Sequence, residues 1–168
     1  MTRQNRFGGT VKPRHDRLIR EKVHDTYRAT EKLPEPTLCP GCQAVYKQGR
    51  WQWDMEASYK AESLCPACRR IRDDYPAGFV TLAGSFLGEH QDEILNLINN
   101  VEERAREEHP TQRLMKLSDT DEGLLVTTTD MHLARGIGEA LYRAYQGDMD
   151  YDYNKQDDML RVTWKREV

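Results

Sequence analysis

Two Cys-x-x-Cys pairs, Cys39-Pro40-Gly41-Cys42 and Cys65-Pro66-Ala67-Cys68, stand 22 residues apart in this chain, and no other feature limits its folding as much. Two compact pairs of soft thiolates are the ligand set of a tetrahedral metal site. The expectation is one structural zinc ion held by Cys39, Cys42, Cys65 and Cys68. Four thiolate ligands leave no open position for an activated water, so such an ion holds a fold and catalyses nothing. Iron in a rubredoxin-like site or a dithiol redox pair would use the same residues. Two disulfides fit less well, because the leading Met1-Thr2-Arg3-Gln4-Asn5-Arg6 runs into no apolar stretch resembling an export signal. Nor does any run approach the roughly 20 apolar residues that cross a bilayer. A soluble, cytoplasmic chain with reduced thiols and no membrane partner is expected.

The segment between the pairs supplies a β-hairpin: Ala44-Val45-Tyr46, a turn at Gln48-Gly49, then Arg50-Trp51-Gln52-Trp53. Residues 33–76 therefore read as a four-cysteine zinc ribbon, preceded by Leu33-Pro34-Glu35-Pro36, whose prolines force extended backbone. With 38% hydrophobic and 32% charged residues, the chain can fill only a modest core, and a metal staple offsets that shortage.

Residues 77–168 carry the rest of the apolar pattern. A strand is expected over 79–82 and a helix over 89–108, with Ile94, Leu95, Leu97, Ile98, Val101 and Ala105 on one face. His109-Pro110 stops that helix. Strands follow at 114–117 and 124–129, around a turn at 118–123. Asp130 is placed to cap a second helix over 131–145 with Leu133, Ala134, Ile137, Leu141 and Tyr142 inward. Two more strands are expected near 149–153 and 159–165. The resulting class is α+β: a zinc ribbon followed by a ferredoxin-like βαββαβ(β) domain, both helices on one face of an antiparallel sheet and the last strand an addition.

Charge is unevenly distributed. Residues 1–32 hold nine Lys and Arg against four Asp and Glu, whereas residues 76–168 hold ten against eighteen. The first segment has almost no apolar periodicity beyond a short helix over 16–27, and reads as a flexible, disordered basic arm. Its cations Arg3, Arg6, Lys12, Arg14, Arg17, Arg20 and Lys22 are candidate phosphate contacts, as are Lys47, Arg50, Arg69, Arg70 and Arg72 beside the cysteines. The last five also have a plainer use, offsetting the charge of about −2 on a tetrathiolate site. Trp51 and Trp53 share one face of their strand and offer a stacking platform for bases, or else the core of a small ribbon.

Catalytic signatures are missing. There is no phosphate-binding Gly-x-x-x-x-Gly-Lys loop, no Gly-x-Ser-x-Gly elbow and no His-Glu-x-x-His helix. His15, His24, His90, His109 and His132 are scattered without relay partners. The run Thr127-Thr128-Thr129-Asp130 is explained by a β-branched strand followed by a helix cap.

The two Cys-Pro-x-Cys segments, followed by the run from Gly123 through Asp130 to Ala134-Arg135 and then by Arg161-Val162-Thr163, resemble the family of nonsense-mediated decay protein three, the large-ribosomal-subunit export adaptor. The resemblance spans residues 38–165. Family members carry more Cys-x-x-Cys pairs and longer C-terminal regions, so the export role does not transfer. The resemblance implies a short prokaryotic relative, a compact module associated with RNA or the ribosome.

These readings converge on a non-enzymatic RNA-binding protein that associates with the ribosome through ribosomal RNA. A protein–protein adaptor acting through the acidic C-terminal half is the alternative, and a thiol redox or iron protein a third.

Overall fold

The computed structural model describes Tyr27 and residues 32–168. The arm cations from Arg3 to Lys22 and, apart from Tyr27, the helix expected over 16–27 lie outside the described residues.

The first sheet is small. Strands β1 (Thr37–Leu38), β2 (Val45–Lys47), β3 (Arg50–Gln52) and β4 (Ala61–Glu62) lie in the order β3-β2-β1-β4. The β2–β3 hairpin turns through Gln48 and Gly49, whose positive φ values of 55° and 77° match the twist of the flanking strands. Helix α1 (Pro66–Asp73) follows, an element not expected from the sequence. The difference has a local cause: Cys65 is the helix N-cap and Pro66 occupies the first turn, where its missing N–H costs nothing. No apolar periodicity announces this helix, because its inward residues are Ala67 and Arg70.

The second sheet contains β5 (Gly78–Ala83), β6 (Leu114–Thr120), β7 (Gly123–Thr128), β8 (Asp148–Asn154) and β9 (Met159–Lys165), with helices α2 (Ser85–Glu89), α3 (Gln91–Glu108) and α4 (Met131–Tyr145). The helix expected over 89–108 is preceded by the separate α2, with non-helical His90 between them (φ −121°, ψ 23°). Strand β6 runs on to Thr120, so the expected six-residue turn shrinks to Asp121-Glu122. Asp130 caps α4, accepting from the backbone N–H groups of His132 and Leu133.

Element order in this half is as expected apart from α2, but strand order is not that of a ferredoxin-like sheet with a strand appended at its edge. The order is β6-β7-β5-β9-β8, and β9 runs parallel to β5, so the sheet is mixed where an antiparallel one was expected. Side chains decide this. Strand β9 turns Leu160, Val162 and Trp164 to the core, whereas β8 is almost wholly exposed. A strand with a full apolar face gains by lying inside the sheet, and a charged one is tolerated only at the edge.

All buried strand residues of the core, Val80, Leu82, Leu124, Val126, Leu160, Val162 and Trp164, have even numbers and point to one face. There they meet Ile94 and Ile98 of α3 and Leu133, Ile137 and Leu141 of α4. Helix α4 lies close enough that a Cβ on Gly138 would stand 2.8 Å from Val162 Cγ1. The indole of Trp164, fully buried, donates to the carbonyl of Gln146 at 2.6 Å and so fixes the end of α4. Trp164→Ala is expected to cost about 3–5 kcal/mol of stability, measured by denaturant unfolding.

Candidate metal centre

The four cysteines come together although they enter from different elements. Cys39 follows β1 in a tight loop closed by the Gln43 N–H to the Cys39 carbonyl and the Cys39 N–H to the Ala44 carbonyl, both 2.8 Å. Gly41 is needed there, since a Cβ would lie 2.8 Å from Cys68 Sγ. Cys65 and Cys68 sit at the start of α1, where the Cys68 N–H points at Cys65 Sγ at 3.4 Å. A helix N-terminus favours thiolate over thiol. The Cys65 N–H is 3.2 Å from Cys39 Sγ.

All four sulfur atoms lie within 4.8 Å of one another, and none is in a disulfide. The Cys42 to Cys65 Sγ distance is 3.8 Å, the edge of a tetrahedron with metal–sulfur bonds of about 2.3 Å. Cys39 and Cys65 are buried, Cys42 and Cys68 half-buried, and Trp51 and Leu64 pack around them.

Left as thiols, this cluster is electrostatically frustrated. Hydrogen bonds from Cys42 and Cys65 stabilise a thiolate on Cys39 and lower its pKa. Donating to Cys39 pushes the Cys42 thiol up to about 11. Cys65 is raised by the same donation, with burial adding to it. One anion is favoured and the next is opposed, until a cation at the centre admits all four.

A cation of the chain itself faces the cluster. Arg113, between α3 and β6, is only 8% exposed and sends Nη2 to Cys68 Sγ at 3.0 Å and to Cys65 Sγ at 3.5 Å. Burial opposes its charge, but the hydrogen bond to Cys68 and the nearby Cys65 and Cys42 sulfurs outweigh it and raise its pKa. Among the described residues no carboxylate pairs with Arg113. A buried guanidinium facing only sulfur is stable when those sulfurs are anionic, so the residues present fit a metal tetrathiolate. The Arg113 backbone is itself pinned, its N–H donating to Thr129 Oγ1 at 2.9 Å and its carbonyl accepting from the Thr129 N–H at 2.9 Å.

The other residues singled out from sequence divide sharply. Arg70 is buried, donates to the Tyr75 carbonyl at 3.1 Å and lies 4.4 Å over the ring of Tyr27, so it serves the interior. Lys47 pairs with Asp54 and Arg72 with Asp73, each at 2.8 Å. Trp53 donates to the Arg106 carbonyl at 2.8 Å, tying the small sheet to α3. Arg50 is exposed and Arg69 donates to Ser63 Oγ at 2.9 Å. Trp51 stands opposite Tyr46, ring centres 5.4 Å apart. Arg113 carries no sequence signal, since it lies far along the chain from every cysteine, and Thr129 was read only as part of a strand end.

Neither a family model, nor a curated protein, nor a solved structure matches this chain. Among the described residues, no helix is long and apolar enough to cross a membrane.

Elemental analysis of the purified chain is expected to find one metal ion per molecule, and Cys39→Ser or Cys65→Ser to abolish it. Arg113→Met should keep the ion yet lower stability by about 2 kcal/mol, the worth of a hydrogen bond to a charged group, as read from denaturant midpoints alongside metal content.

Proposed function

We propose that this protein is a non-enzymatic RNA-binding protein, organised by a structural zinc ion at Cys39, Cys42, Cys65 and Cys68, that associates with ribosomal RNA in the cytoplasm. Zinc is chosen because four cysteine thiolates in a closed tetrahedron are its common structural ligand set. The observation that carries the reading is a cleft of about 330 Å³ where the two halves meet. Tyr46, Arg50, Trp51 and Arg69 line it from the metal module, and Asp130 and His132 from the start of α4.

Cations beside accessible aromatic rings are what unpaired RNA requires, guanidinium groups for phosphate and rings for bases, and Tyr46 and Trp51 are half-buried here. Arg50 and Arg69 retain donors for a ligand, whereas Lys47 and Arg72 are neutralised by neighbouring carboxylates. The seven Lys and Arg of residues 1–26 add a sequence-independent attraction that falls with salt. The resemblance to a ribosomal export adaptor family leans toward the ribosome as the source of the RNA.

Titration of ribosomes or structured RNA over a range of salt concentrations tests this. The full chain should bind with a steep negative dependence of log affinity on log salt. Arg50→Ala with Arg69→Ala should flatten that slope by about 1 to 2, since each lost phosphate contact removes roughly one counterion. Removing residues 1–26 should flatten it further. No binding at low salt would end the proposal.

A further inference from the structure

We propose that the free edge of β8 is a docking site for an extended basic peptide, which joins the five-stranded sheet as a sixth strand. This develops the adaptor alternative and is independent of RNA binding.

Strand β8 pairs with β9 along all seven residues from Asp148 to Asn154 with no break in register, and among the described residues its other side has no neighbour in the sheet. The opposite edge, β6, is interrupted between Leu114 and Lys116. Edge strands left straight and long are templates for another strand. Proline and bulges, two of the usual obstacles, are absent from β8, and its charges are all acidic.

Alternation gives the edge two chemistries. Asp148, Asp150 and Asp152 share one face and Met149, Tyr151 and Tyr153 the other. The register sets Lys165 opposite Asp148 and Arg161 opposite Asp152, yet neither cation pairs with them. Lys165 reaches Glu167 at 3.3 Å, and Arg161 lies 4.6 Å over the ring of Phe79. The three carboxylates thus form an exposed row with no ion pair among the described residues. On the other face Tyr151 is 40% exposed, Tyr153 46%, and Tyr142 of α4 47%. Tyr142, Met149 and Tyr151 line a groove of about 530 Å³ beside the strand.

A second copy of the chain is a poor occupant, because β8 against β8 brings aspartates into line with aspartates. The complementary strand alternates lysine or arginine, set against the aspartate row, with apolar residues set against the tyrosines. Backbone hydrogen bonds supply affinity and the alternation supplies selectivity.

The test uses the full chain and a labelled nine-residue peptide alternating lysine and valine. A peptide of the same composition with its lysines and valines in separate blocks, and a glutamate–valine peptide, serve as controls. The alternating peptide should bind at least tenfold more tightly than either control, and the outward-facing β8 amides should exchange hydrogen more slowly in its presence. Substituting all three aspartates by asparagine should weaken binding at least tenfold while leaving the circular dichroism spectrum unchanged. Equal binding of the block peptide, or unchanged β8 exchange, overturns the proposal. So does finding those amides already protected in the free chain and released on removing residues 1–26, which would make the basic arm the occupant. Titrating ribosomes with the Asp148→Asn, Asp150→Asn, Asp152→Asn variant reads RNA binding separately, so either proposal can fail alone.

Discussion

A guanidinium withdrawn from water and facing only sulfur is the constraint on which the rest of this structure turns. Arg113 needs anions and finds Cys65 and Cys68, while within the cluster the Cys42 and Cys65 thiols, which donate to Cys39, are held back from ionising. One metal ion held by the four sulfurs would resolve the second difficulty and, by making the cluster anionic, the first. Because Arg113 belongs to the larger sheet's half and the cysteines to the smaller one, the same charges that close the metal site also hold the halves together. Trp53 on Arg106 and Lys116 on Asp74 add contacts at the same junction. They are more exposed, and weaker for it.

The cleft at that junction inherits its character from this pairing. Its walls come from the β2–β3 hairpin and α1 on one side and the start of α4 on the other. Thr129, which precedes the Asp130 cap of α4, is bonded to the Arg113 backbone. A chain of contacts therefore runs from the sulfurs through Arg113 and Thr129 to the α4 end of the cleft. The local geometry of the metal site and that of the cleft are fixed by the same few residues.

Much of this was legible in the sequence, for identifiable reasons. Period and spacing are local signals, so the hairpin, α3, α4 with its Asp130 cap, and the four sulfur ligands could be read from residues a few places apart. What escaped reading depended on distance or on an inversion of the usual pattern. Helix α1 hides because its buried face holds an arginine, Arg70, where a hydrophobic residue would have marked it. Strand order hides because β8 and β9 are similar in length and adjacent in sequence. Only the comparison of Leu160, Val162 and Trp164 with Asp148, Asp150 and Asp152 shows which must lie inside. Arg113 is separated from the nearest cysteine by 45 residues, and nothing in its own neighbourhood points there.

The arginines near the cysteines teach the wider lesson about reading charge. From sequence they form one basic cluster, yet the fold assigns them different work. Arg70 lies under Tyr27 and against Tyr75, Arg72 is matched by Asp73, and Arg50 and Arg69 face the cleft. The charge facing the sulfurs comes instead from Arg113, supplied by the acidic half of the chain. With that residue in place, the arginines of the small module are not needed beside the sulfurs, and Arg50 and Arg69 line the cleft instead. Net charge by segment therefore locates attraction only coarsely. The surface that acts on a polyanion is set by which cations the interior has already taken.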